Sequence, residues 1–119
     1  MIDGEGAYAI PGLIDIHFHG CMGADVCDND PEAIRTIAEY EASVGVTTIC
    51  PATMTLPVDD LKKILSTVAS YTNESGAHLV GLNMEGPFIS VSKKGAQDER
   101  NIIHVTPPFF GNFRKRPGG

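Results

Sequence analysis

Val46-Thr47-Thr48-Ile49-Cys50, residues 46–50, lies between Gly45 and Pro51 and decides the fold. Its β-branched side chains are stiff at χ1 and suit a pleated surface, and the run is too short for a helix. It reads as a buried strand. On its amino side, Ile34, Ile37, Ala38 and Ala42 recur at three- and four-residue intervals opposite Glu32, Thr36, Glu39 and Ser43. That spacing predicts a helix over 31–43 with one buried stripe, interrupted only by Glu41. Asp30 is placed to cap it, Pro31 suits its first position, and Gly45 ends it. On the carboxyl side, Leu61, Ile64, Leu65, Val68 and Ala69 repeat the pattern across 57–72, and residues 73–76 close it.

Two further apolar runs lie beyond these helices. Pro11-Gly12 gives a sharp entry to a strand of Leu13, Ile14 and Ile16, and Gly20 lets the chain turn away after it. His78-Leu79-Val80-Gly81-Leu82-Asn83-Met84 supplies another strand. Strand, helix, strand, helix, strand implies right-handed crossovers and an α/β architecture with a parallel sheet. Three strands leave an unpaired edge, so further chain or a second copy is expected to complete the sheet, and a homo-oligomer is the expectation. Residues 1–12 read as a connector, with a short strand expected over Ala7-Tyr8-Ala9-Ile10.

The bulk properties narrow the function. The chain has 119 residues, 42% hydrophobic and 20% charged, which suits one globular domain. A net charge of −6 argues against nucleic acid, and Arg114-Lys115-Arg116 reads as a solvated terminal cluster. Cys21, Cys27 and Cys50 form no Cys-x-x-Cys unit, so reduced thiols in the cytoplasm are expected. No secretion signal is legible, and no apolar run approaches the roughly 20 residues needed to span a bilayer, so no membrane partner is expected.

In parallel α/β sheets the reactive groups gather at the carboxyl ends of the strands. The first strand ends in His17 and His19, which share one face if the chain is extended there. The second ends in Cys50-Pro51-Ala52-Thr53, and the third in Glu85 before Gly86-Pro87. Histidines beside an apolar run are often ordinary hydrogen-bonded residues, and Glu85 alone would read as a salt-bridge partner. Together, two imidazoles and a carboxylate suit a divalent metal, with zinc expected and iron, manganese or cobalt acceptable. Activation of water for hydrolysis is the chemistry such a site serves.

The segments PGLIDIHFHG (11–20), GVTTICPATMT (45–55) and NMEGPFISVSKKGAQ (83–97) resemble the amino-terminal third of the N-acetylglucosamine-6-phosphate deacetylase family, within the amidohydrolase superfamily. DIHFHG is shared widely in that superfamily, whereas MEGPFIS followed by KKGAQ is narrower. The resemblance implies a partial (β/α)8 TIM-type barrel, with the first three parallel strands and two intervening helices in residues 13–102. It implies an amide hydrolase that removes acetate from an amino-sugar phosphate with metal assistance. It carries Glu85 over as metal ligand, His17 and His19 as the family's first-strand pair, and Ala96 as a backbone contact to substrate.

Lys93 and Lys94 are expected to be solvated. The family's two further metal histidines and its proton-handling aspartate lie on later strands, so no catalytic residue is assigned here, and activity of this chain alone is doubtful. His78 opens its strand, and His104 lies in an unmatched segment, so neither replaces them. The alternatives are a non-catalytic oligomerising fragment and another amidohydrolase, such as a dihydroorotase or deaminase. Residues 103–119 match nothing in the family; a truncation scar, a shifted frame and a disordered tail are the open readings.

Overall fold

The computed structural model describes residues 3–105. The basic tail cluster and most of the unmatched end lie outside them. The chain runs β1 (Leu13–Asp15), α1 (Pro31–Ser43), β2 (Val46–Ile49), β3 (Ala52–Thr53), α2 (Val58–Ser70), β4 (His78–Leu79) and β5 (Asn83–Met84), with short 3-10 turns between and after them. β1, β2 and β4 form a parallel sheet in that order, and β3 pairs with β5, also parallel. The α/β reading and the parallel strand order both stand.

α1 begins as its sequence predicts, with Asp30 accepting from the Glu32 amide at 2.9 Å and Pro31 in the first turn. Its buried face packs Ile37 and Ala38 against Ile49 and Ala77, with Phe18, Val46 and Leu79 around them. Each such isoleucine contributes on the order of 1.5–3 kcal/mol when fully buried. Gly76 lets the loop lie flat on α1: a Cβ there would meet the Ala38 carbonyl carbon at 2.4 Å, and the next amide, of Ala77, donates to the Ala38 oxygen at 2.8 Å.

Several expectations need correction. The second and third strands are each broken, because Pro51 has no N–H to donate and the third strand spends an extra residue there. Val80 donates to Ile49 O and Asn83 to Pro51 O, so three steps of one strand span two of the other, a bulge. The first strand does the same: Asp15 O accepts from Cys50 and Phe18 O from Ala52. β1 therefore stops at Asp15, and the histidines lie just past the regular strand.

Residues 7–10 form no strand; Tyr8 is 95% exposed, and among the described residues no strand pairs with the segment. In α1 the buried turn uses Glu41 instead of Ala42, which is exposed. α2 is shorter than expected at both ends and has no side-chain cap. Only its Leu61 and Ile64 are buried, because Leu65 and Val68 line an open groove of about 370 Å³ beside Leu79 and Leu82.

Candidate metal centre

The site forms where all three strands end on one rim. His17 and His19 follow β1, and Glu85 follows β5. The carboxylate Oε2 of Glu85 lies 2.9 Å from His19 Nε2 and 3.4 Å from His17 Nε2. The two rings meet edge to face, with centroids 5.3 Å apart. One donor atom from each residue falls within 4.8 Å of the others, and among the described residues no other group of three such side chains does so. Donors around a tetrahedral zinc at about 2.0–2.1 Å stand roughly 3.4 Å apart, which the His17–Glu85 contact matches and the His19–Glu85 contact would reach by opening slightly. The set fits a divalent cation by chemistry and by spacing.

The bulge past β1 explains how the pair converges without an extended strand. The Asp15 carboxylate accepts from the His17 amide at 3.0 Å, which turns the chain immediately. Asn83, two residues before Glu85, reaches across with its amide nitrogen to Ile16 O at 3.0 Å and to His17 Nδ1 at 3.1 Å.

Glu85 is held from behind. Thr55 Oγ1 donates to the Glu85 carbonyl at 3.0 Å, while the Thr55 amide donates to Gln97 Oε1 at 2.7 Å and the Thr55 carbonyl accepts from Asn101 at 3.1 Å. Thr55 and Gln97 are both buried, where each bond is worth more than in water. Gly86 completes the turn: it has φ +88, and a Cβ there would fall 2.1 Å from Thr55 Oγ1.

The other sequence candidates fall elsewhere. Ala96 sits in an exposed turn next to Gln97. Lys93 is exposed, and Lys94 donates to the Gln97 carbonyl at 3.1 Å. His78 opens β4 opposite Thr48, at the far end of the sheet, and His104 is exposed. Burial pushes the Cys27 thiol up to about 11, against an amide bond from Met54 that lowers it, and Cys27 is not in the group formed by His17, His19 and Glu85. Asn83, Thr55, Gln97 and Asn101 do not stand out in the sequence. The only hint is that Asn83 and Gln97 flank the EGPF and KKGA blocks.

No family model matches the chain. It is 38% identical over 89 residues to N-acetylglucosamine-6-phosphate deacetylase from Vibrio furnissii, a match that spans 73% of this chain and 22% of that protein. It is 34% identical over 88 residues to N-acetylgalactosamine-6-phosphate deacetylase from Escherichia coli O157:H7, covering 72% of this chain and 23% of the other. Among solved structures, N-acetylglucosamine-6-phosphate deacetylase from Thermotoga maritima superposes with a TM-score of 0.75 at 34% identity, over 85% of this chain and 27% of that one. The chain thus spans about a quarter of the length of the relatives it matches.

Proposed function

The chain belongs to the N-acetylglucosamine-6-phosphate deacetylase family, and from that premise we propose that it forms the first three strands of a (β/α)8-barrel amidohydrolase acting on an amino-sugar phosphate. Residues 13–102 are the barrel portion in this reading. Glu85 is its first metal ligand, with His19 and His17 beside it. The observation that carries the reading is the approach of the three donor atoms to within 4.8 Å at one rim of a parallel sheet.

Zinc is the proposed ion, and iron, manganese or cobalt would suit the same donors. When bound, such an ion polarises an amide carbonyl and brings the pKa of its water to about 7. The chain's own residues hold and aim. Thr55 and Gln97 fix the Glu85 backbone, and the exposed Ala96 turn offers its backbone to substrate. N-acetylglucosamine 6-phosphate is the proposed substrate, and the Escherichia coli relative makes its galacto epimer the competitor to test. Three free thiols support a reducing, cytoplasmic setting, and among the described residues no helix is long and apolar enough to cross a membrane.

The direct test is calorimetric zinc titration of the chain and of Glu85→Ala. One equivalent is expected for the former and none for the latter; unchanged stoichiometry in the variant would overturn the ligand assignment. Acetate release from N-acetylglucosamine 6-phosphate by this chain alone is expected to be absent. In this reading the remaining metal histidines and the aspartate belong to later strands.

A second reading concerns partners. Among the described residues β1 is paired on one side only, and Ile14 in it and Ile16 just past it are 65% and 67% exposed, which favours cover by further chain or by a second copy. Sedimentation equilibrium of the chain distinguishes a homo-oligomer from a monomer.

A further inference from the structure

We propose that Asn83 sets the tautomer of His17 and so divides the histidine pair. His19 is left to bind a cation directly, and His17 presents an N–H that steadies Glu85. The ligand half of this statement rests on the metal reading above; the tautomer half does not.

The argument turns on one nitrogen with two hydrogens. Asn83 Nδ2 lies 3.0 Å from the Ile16 carbonyl and 3.1 Å from His17 Nδ1. A carbonyl oxygen only accepts, so the Ile16 contact fixes which end of the amide faces it. Rotating the amide would set Oδ1 against Ile16 O, two acceptors at hydrogen-bond distance. The second hydrogen of Nδ2 therefore points at His17 Nδ1, which must offer a lone pair. A neutral imidazole with a bare Nδ1 carries its proton on Nε2.

That proton faces the carboxylate. His17 Nε2 is 3.4 Å from Glu85 Oε2, so an N–H at that position points its hydrogen at the carboxylate oxygen. A metal needs a lone pair at the same atom, and ligating histidines ordinarily donate their other ring N–H to an acceptor. Asn83 imposes the reverse arrangement on His17. Among the described residues no side-chain amide donates to His19 Nδ1 as Asn83 does to His17, so His19 Nε2, 2.9 Å from the same oxygen, can give up its proton to a cation. Because Asn83 opens β5's ladder two residues before Glu85, one stretch of backbone places both the acid and the group that orients its neighbour.

The test uses the 15N-labelled chain without metal at pH about 8.5, two units above the ordinary imidazole value of about 6.5. Long-range proton–nitrogen spectra should show His17 protonated on Nε2 and bare at Nδ1. In Asn83→Asp an acceptor replaces the donor, and the proton should move to Nδ1. Zinc affinity should then rise about 10-fold or more, the scale on which outer partners tune metal sites. In the parent chain, His19→Ala should cost at least about 10-fold more zinc affinity than His17→Ala, a comparison that holds even if the Asn83→Asp variant folds poorly.

A parent His17 protonated on Nδ1, or an unmoved proton in Asn83→Asp, would overturn the proposal. Equal losses in the two histidine variants would do the same. If the parent binds no zinc, the metal reading fails, while the spectra still decide the role of Asn83.

Discussion

β1 and β2 are paired neighbours with similar side chains and opposite fates. Ile49 of β2 is fully buried, whereas Ile14 in β1 and Ile16 just past it are about two-thirds exposed. The difference lies in what covers each. β2 runs between two paired strands under α1, while β1 has one paired edge and little over its outer side among the described residues. An apolar strand states a need for cover; whether the need is met depends on elements elsewhere in the chain. The same contrast organises the rim. Glu85 is braced through Thr55, which follows the buried middle of the sheet, while the histidines hang from its open side.

The largest expected effect breaks the comparison at its centre. Ile49→Ala should cost about 2–5 kcal/mol, read as a lower thermal midpoint, while Ile16→Ala should stay within about 0.5 kcal/mol. Comparable losses would mean that β1 is covered in solution. Next in size, Thr55→Val keeps the shape but removes the donor to the Glu85 carbonyl. It should cost about 1–2 kcal/mol and weaken zinc binding about 10-fold, with Thr55→Ser restoring both.

The smallest effect is a gain. Burial, and then the Asp15 carboxylate, raise the Glu41 pKa above its ordinary 4.5, so the folded chain holds that proton more tightly than the unfolded one. Stability therefore falls as pH rises from 4.5 through the raised value, and stays lower above it. Glu41→Gln should stabilise the chain at neutral pH by less than about 1 kcal/mol, and the gain should vanish below about pH 4 in denaturant melts.

Much of the frame was legible because its signals are local. Asp30 and Pro31 mark a helix start by chemistry acting within one turn, and the β-branched run before Pro51 marks a strand. The breaks were not legible, since the missing N–H of Pro51 matters only through what lies opposite it. Ala7–Ile10 has strand composition but, among the described residues, no partner to pair with. Glu41 broke the apolar stripe on paper, yet α1 turns it inward.

The site divides the same way. His17, His19 and Glu85 stand out as residue types at strand ends, whereas Asn83, Thr55 and Gln97 are ordinary polar residues until folded. Their partners lie 66, 30 and 42 positions away.

The buried Gln97 has one more consequence. It follows Ala96 in the chain and is joined through Thr55 to the carbonyl of Glu85, so two hydrogen bonds span the distance from an exposed turn to an acidic rim residue. Anything that pulls on that turn loads the carbonyl, and anything that tightens around the carboxylate stiffens the turn. Free energies exchanged in this way are equal in both directions, so occupancy at either end would be felt as altered affinity at the other.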